Sequence, residues 1–286
     1  MKLVVEQQRN QNHDKMCRRI NFGIIGYGKM GSSLIRGAIK SGLLYAPSIK
    51  IFDMDSAKAE IARKDGLNPV NSLAEVSYSE AILIAVKPKD MPELLDTLKP
   101  LISATKPLII TIAAGIRLET YASRLGEGAR VVRVMPNIAA SVNEAASVYV
   151  LNKWVSTTDA TFIDALLNSV GRAFKLQDES MIDAVTGISG SGPAYFFYMM
   201  KALEAAGKKV SLPEDLVHVL VAQTCKGSGA LALGSDLSQD QLITMVASAG
   251  GTTEEALKVM DAKGLSATMI EAVVAAIEKS KKMSRS

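Results

Sequence analysis

Ile20-Asn21-Phe22-Gly23-Ile24-Ile25-Gly26-Tyr27-Gly28-Lys29-Met30-Gly31 is the stretch whose reading decides the fold. A short apolar run enters a glycine-rich turn. Leu34, Ile35, Ala38 and Ile39 then recur at helical spacing, and Gly42 closes that helix. The pattern predicts strand, turn, helix. Further along, Ile49–Phe52 predicts a second strand stopped by Asp53, with a helix over 57–63. The continuous apolar runs 81–86 and 108–113 predict strands buried on both faces, separated by a helix over 92–98. Residues 131–135 predict another strand. Strands that alternate with helices imply right-handed βαβ units and a parallel sheet.

In such a sheet the turn after the first strand binds phosphate. Gly26 permits the tight turn, Gly28 lets the backbone approach a pyrophosphate, and Gly31 lets helix and strand pack closely. Free amides of Lys29 and Met30 and the helix dipole favour an anion there. Gly-x-Gly-x-x-Gly alone is a weak signal. Here it follows a strand, opens a helix, and is followed by Asp53, 22 residues beyond Gly31, at the end of the next strand. That context predicts a nicotinamide dinucleotide site. A carboxylate at Asp53 suits the ribose hydroxyls of NADH and disfavours a 2′-phosphate, while Lys50 and Lys58 flank it, so NADPH or NADH is expected with a lean to NADH. The bland alternative for Asp53 is a helix cap, a role that Asp55 fits better.

After Phe174 the strand pattern stops. Helices are expected over 181–185, 194–206 (closed by Gly207), 215–233 (opened by Pro213), 239–247, 253–260 and 266–282. They are apolar on more than one side, and a helix apolar all round is a buried helix. About 110 residues are too few to bury them, so a partner subunit is the expected cover. Met199, Met200, Met245 and Met260 read as interface or core fillers. Two segments look chemical. Gly187 to Gly192, followed by Pro193 and Tyr195, forces a tight backbone at a helix start. Ser248-Ala249-Gly250-Gly251-Thr252-Thr253 brings free amides and hydroxyls to one helix N-terminus, an anion site suited to a carboxylate. Plain N-capping by Thr252 or Thr253 is the alternative, but capping alone does not require two glycines.

The scarce residues exclude chemistry. There are two His (His13, His218), two Cys (Cys17, Cys225) and one Trp (Trp154) among 286 residues. That rules out a disulfide framework and a Cys/His metal site, and makes imidazole acid–base catalysis improbable. A net charge of +4 with scattered basic residues and few aromatics gives no nucleic-acid footprint. Lys279 to Lys282 reads as a solvated helix end. Residues 1–19 are polar and read as a flexible extension; no run of 18 apolar residues is present, so no membrane span is expected, and the thiols point to a cytoplasmic chain. The expected organisation is residues 1–19 as extension, 20–177 as a Rossmann-type α/β domain and 178–286 as an all-helical substrate and dimerisation domain.

These segments together resemble the pyrroline-5-carboxylate reductase family. The resemblance rests on Gly23 to Met30, Ala85-Val86-Lys87-Pro88, Ala114-Gly115-Ile116, Arg133-Val134-Met135-Pro136-Asn137, Thr186 to Tyr195, Gln223-Thr224 and Gly250-Gly251-Thr252-Thr253, and it spans about residues 20–281. It implies hydride transfer from NADPH or NADH to the C=N carbon of the cyclic imine 1-pyrroline-5-carboxylate, giving L-proline. It further implies that Gly26 to Gly31, Asp53, Ala85 to Pro88, Ala114, Gly115 and Asn137 hold the cofactor. Ser189, Gly190, Pro193, Gly250, Gly251, Thr252 and Thr253 would hold the substrate, and Thr253, Ser248 and Asp236 would be closest to the chemistry. It also implies a homodimer or a larger ring of dimers. The chain departs from the family pattern at Ala139, Ala249 and Gln239, where prolines are usual. Two other readings compete: a dinucleotide-binding regulatory protein without turnover, and a β-hydroxyacid-dehydrogenase-like enzyme. The latter needs a lysine one helical turn into the glycine-rich segment, where Phe196 stands.

Overall fold

The computed structural model describes residues 20–284. The expected extension, with His13 and Cys17, lies outside the described residues. Eight strands are present: β1 (Phe22–Ile25), β2 (Ile49–Phe52), β3 (Asn68–Pro69), β4 (Ala81–Ile84), β5 (Leu108–Thr111), β6 (Arg130–Met135), β7 (Ala145–Leu151) and β8 (Gly171–Lys175). They form one sheet in the order β3-β2-β1-β4-β5-β6-β7-β8. Helices α1 (Lys29–Lys40), α2 (Ser56–Lys64), α3 (Leu73–Ser77), α4 (Met91–Ile102), α5 (Leu118–Leu125) and α6 (Thr157–Asn168) connect them. Gly42 ends the first helical connection at φ +79°, and Asp55 caps α2 by accepting from the Ala57 amide, both as the sequence predicts.

β1, β4 and β5 are buried along their whole length, which explains their unbroken apolar runs. One face packs against Leu34, Ile35 and Ala38 of α1 and Ile163, Leu166 and Leu167 of α6. The other packs against Met91, Leu95 and Leu98 of α4 and Tyr121 of α5. Each such side chain contributes about 1.5–3 kcal/mol by leaving water.

The sheet is not wholly parallel, as the alternation predicted. β7 runs antiparallel to β6. Only residues 136–144 join them, too few for a parallel crossover, and Asn143 at φ 60° turns the chain back. β8 returns to parallel pairing with β7 through α6.

By its contacts the described chain divides into two compact units. One runs through Gly190 and resumes at Ile277; the other is Ser191–Ala276. The division therefore falls later than the expected boundary after residue 177, and the final helical turns belong to the first unit. Between β8 and the second unit lie α7 (Ile182–Val185) and a π-helical turn, Thr186–Gly190.

The second unit comprises α8 (Gly192–Lys209), α9 (Glu214–Gly234), α10 (Gln239–Val246), α11 (Thr252–Ala262) and the start of α12 (Leu265–Met283). Gly207 does not close its helix, as the sequence reading had it. It lies inside α8, where a Cβ would come within 2.7 Å of both Val217 methyls, so its absence of side chain lets α8 and α9 approach. Phe196, Phe197, Tyr198, Val219, Leu220 and Leu231 are more than half exposed. One correction concerns length: α9 is long and apolar enough to cross a membrane by length and composition, with a mean hydropathy of 1.3 over its most apolar 18 residues. Scattered polar residues such as Gln223, Thr224 and Ser228 break its apolar runs, so a count of consecutive apolar residues missed it.

Gly171 sits at φ +150°, where a Cβ would overlap the Ala145 backbone of β7. Gly171→Ala is expected to cost more than about 2 kcal/mol, because the clash is with main chain and not with a movable side-chain tip. Urea unfolding monitored by circular dichroism reads this directly. A midpoint within error of the parent chain would show that β8 shifts without cost.

Candidate active site

Strand order reverses between β1 and β4, and in open α/β sheets the crevice outside the strand ends at that point takes the ligand. Two predicted cofactor segments, Gly26 to Gly31 and Ala85 to Pro88, meet there. Gly26 is at φ +91°, and a Cβ on it would lie 2.8 Å from the Ala85 carbonyl oxygen. A Cβ on Gly31 would lie 2.9 Å from both the Ala85 Cβ and the Gly26 oxygen. Those two glycines make the turn and close the packing. Gly28 differs: nothing lies within 4 Å of where its Cβ would be. It is the N-cap of α1 without a side-chain cap, so the first amides of the helix face open space. An anionic pyrophosphate fits this cradle on its geometry alone.

Asp53 has a role that the sequence reading did not anticipate. Its Oδ2 accepts from the Tyr27 amide at 2.6 Å and its Oδ1 from the Asp55 amide at 2.9 Å. Its side chain is 7% exposed, with Lys58 Nζ 3.6 Å away. The carboxylate thus holds the glycine-rich turn, with one amide on each oxygen. Tyr27 is fixed a second time, because its hydroxyl donates to Asp65 Oδ2 at 2.7 Å and Arg36 holds the same oxygen at 2.8 Å. Burial, reinforced by Asp65, pushes the Tyr27 hydroxyl far above its ordinary pKa, so it remains a donor. The sequence reading missed Asp65 and Arg36. Neither stands in a motif, and only the fold brings them to Tyr27.

Ala114 and Gly115 follow β5, and Asn137 follows β6, at the same end of the sheet. Gly115 needs its freedom, at φ +76°. Asn137 is buried, and its Nδ2 donates to the Ser189 carbonyl at 3.1 Å while its Oδ1 has no partner. A Cβ on Gly190 would lie 2.5 Å from Met135 Cε. The Met135-Pro136-Asn137 segment and the Ser189–Gly190 turn are therefore packed as one piece, a link the sequence only listed as two motifs. Ser189 Oγ is engaged with the Val185 carbonyl at 3.2 Å, and Pro193 stands in the first turn of α8.

In the second unit Ser248 to Gly251 forms a turn, closed by the Gly251 amide donating to the Ser248 carbonyl at 2.9 Å. Gly250 is at φ +72°, which favours glycine, and a Cβ on Gly251 would come within 2.9 Å of the Ser248 carbonyl oxygen, so both positions suit glycine. The N-cap of α11 is Gly251, with no side-chain cap. Thr252 and Thr253 are thus not spent on capping, which removes the bland reading of their hydroxyls. Glu254 accepts from the Gly250 amide at 2.6 Å and lies 3.4 Å from Lys258. Asp236 is exposed between α9 and α10, and no hydrogen bond among the described residues ties it to this turn. His218 pairs with Glu204 on the exposed surface of α8 and α9 at 2.8 Å, and Cys225 is a free thiol. No cluster of metal-ligating side chains occurs among the described residues.

Comparison with known proteins agrees with this layout. A family described as pyrroline-5-carboxylate reductase dimerisation matches residues 179–283, and one described as NADP oxidoreductase, coenzyme F420-dependent, matches residues 21–115. The chain is 37% identical to a pyrroline-5-carboxylate reductase of Methanosarcina acetivorans, covering 92% of this chain and 98% of that one. It is 39% identical to that of Pseudomonas aeruginosa over 92% and 95% of the two chains. Among solved structures, the reductase of Coxiella burnetii superposes with a TM-score of 0.87 at 30% identity, over 94% of this chain and 100% of the other. A Plasmodium falciparum pyrroline carboxylate reductase with NADP bound gives 0.83 at 32%, over 93% and 98%. With the crevice, the paired turns and near full-length identity all in accord, the chain belongs to the pyrroline-5-carboxylate reductase family.

Proposed function

We propose that this chain reduces 1-pyrroline-5-carboxylate to L-proline with a reduced nicotinamide dinucleotide. The observation that carries the reading is the Gly250-Gly251-Thr252-Thr253 turn: with Gly251 as an N-cap that has no side chain, the Thr252 and Thr253 hydroxyls are not spent on capping at a helix N-terminus suited to an anionic, nitrogen-bearing substrate. The open amides after Gly28 hold the pyrophosphate of NADPH or NADH, and Ala85 to Pro88, Ala114, Gly115 and Asn137 line the rest of the dinucleotide. When bound, the reduced nicotinamide supplies the hydride.

The protein's own work is positioning. The substrate nitrogen arrives protonated, so its carbon is already electrophilic and no base has to remove a proton from an alcohol. The Thr252 amide and the hydroxyls of Ser248 and Thr252 bind the substrate carboxylate, while the Gly250 and Gly251 amides hold the turn in shape through Glu254 and the Ser248 carbonyl. Thr253 Oγ accepts from the iminium N–H and stays with the amine once carbon has received hydride and the C=N bond has become single. Ser189, Gly190 and Pro193 are proposed as further substrate-binding residues. Orientation of this kind can supply on the order of 7–11 kcal/mol at best. Asp236 is proposed as an outer acid near the site. The apolar faces of α8 and α9 are covered by a second copy, giving a homodimer or a ring of dimers.

Thr253→Ala is expected to lower kcat/KM for the imine by about 1–3 kcal/mol, roughly 5- to 150-fold, the scale of one hydrogen bond left unmade. Steady-state assays at the nicotinamide absorbance band measure it, and unchanged kinetics would remove Thr253 from the mechanism. Asp53→Asn is expected to weaken NADH and NADPH alike, by about 1–2 kcal/mol in kcat/KM, because it loosens the Tyr27 turn that both cofactors use. A change in the ratio of the two efficiencies would instead identify Asp53 as a ribose reader. Sedimentation velocity at micromolar protein should find no monomer, and a monomeric boundary would refute the proposed cover for α8 and α9.

A further inference from the structure

We infer that the helical turn Ser280–Ser284 is a positioning element that fixes the cofactor loop at Gly115 and the root of the Ser189–Gly190 turn together. Three observations within the first unit meet at this turn. Ser280, the one buried residue of α12, donates to Asp183 Oδ1 at 2.7 Å. Ser284, one helical turn further on, donates to the same oxygen at 2.8 Å. Between these two serines the Met283 backbone lies against Gly115, so that a Cβ there would be 3.2 Å from the Met283 carbonyl oxygen.

Each contact has a direction. Asp183 is 6% exposed and belongs to α7, which runs straight into the Thr186–Gly190 turn. A buried carboxylate is costly unless it is hydrogen-bonded, and two neutral hydroxyls from 97 and 101 residues away serve this one. Undocking the Ser280–Ser284 turn would strip both from it, leaving a buried carboxylate without these hydroxyls at the α7 end of the π-helical turn, whose far end is held separately by Asn137 and Met135. Gly115 at φ +76° has the opposite constraint: its loop can sit beside the Met283 backbone only because it lacks a side chain. The same helical turn therefore touches the loop at the end of β5, which borders the dinucleotide crevice, and the element that presents Ser189. Ser280, Ser284 and Asp183 touch neither substrate nor cofactor; they act through the two segments they hold.

The inference rests on the reductase reading for its kinetic readout, and not for its binding readout. The full-length chain carrying Ser280→Ala with Ser284→Ala is compared with the parent by hydrogen-exchange mass spectrometry and by fluorescence titration with NADPH. Exchange is expected to quicken in residues 113–117 and 183–190 as well as in 277–284, and the NADPH Kd to rise by about fivefold, the equivalent of one net hydrogen bond. In turnover, KM for the cofactor should rise more than kcat falls, and Ser280→Thr with Ser284 intact should restore all three. A rise in Kd below threefold, or quickened exchange confined to 277–284, overturns the inference and leaves a merely structural clasp. Should the double variant not fold, Gly115→Ala tests the contact from the other side: exchange must quicken in 277–284, and its absence is equally fatal. Failure of the parent chain to oxidise NADPH with the imine would count against the reductase reading alone, because the exchange and titration results do not need turnover.

Discussion

The hydrogen bond from the Tyr27 amide to the Asp53 carboxylate holds the turn on which the crevice is built. Its effect comes from where the two residues stand. Asp53 ends β2 and Tyr27 follows β1, so the bond links two neighbouring parallel strands just past their paired ends. Gly26 is meanwhile pressed against Ala85 beyond β4, on the other side of β1. The glycine-rich turn is thus fixed laterally from both flanking strands, and through the Tyr27 hydroxyl from α2 as well. What remains unfilled is the space in front of Gly28. A loop held on three sides and open on the fourth presents its amides without further reorganisation, which is how an anion is bound without a large ordering cost.

The same economy marks the substrate side. The described residues supply one imidazole and one thiol, and neither is near the glycine turns in sequence: His218 is engaged by Glu204 on the helix surface and Cys225 is in α9. Reduction of a protonated imine does not call on either. It calls on oriented amides and hydroxyls, and those are what Ser248 to Thr253 contains. Phe196, which stands in α8 after the glycine-rich segment, is exposed and carries no group that could remove a proton from an alcohol. Scarcity of reactive side chains and choice of reaction are consistent with one another.

How much was legible beforehand depended on whether a residue acts through local pattern or through distant packing. β1, β4 and β5 were legible because burial on both faces leaves an unbroken apolar run. The turn at Gly26 and the close packing at Gly31 were legible because strand, turn and helix are contiguous. β3 is two residues long and carries no period. β7 reads as a mixed stretch, and its antiparallel sense is a consequence of the short 136–144 connection, not of its composition. Asp53 has a role that spacing did not reveal: it accepts from the Tyr27 amide. Its position after β2 was correctly identified, but whether its carboxylate faces a ligand or a backbone amide is decided by the Tyr27 turn, and sequence spacing cannot separate the two. Gly207 was misread, since a glycine that ends a helix and one that admits a neighbouring helix look alike in one dimension.

The helical unit exposes the remaining constraint. Burial within one chain gives α8 and α9 almost no core of their own, Gly192 and Val217 being their buried residues. Phe196, Phe197, Leu220 and Leu231 would stay in water unless another surface covers them, and each such side chain is worth about 1.5–3 kcal/mol on burial. Apolar patches of this size on an isolated chain mark interaction surfaces. Residues 179–283 match a dimerisation family, in keeping with the proposal that a second copy of the chain covers this surface. Such cover would also explain why α9 satisfies the length and composition of a membrane span: a helix whose apolar faces are covered by protein obeys the same arithmetic as one covered by lipid. If a second copy covers these faces as proposed, the stability of this unit is linked to assembly and therefore to protein concentration.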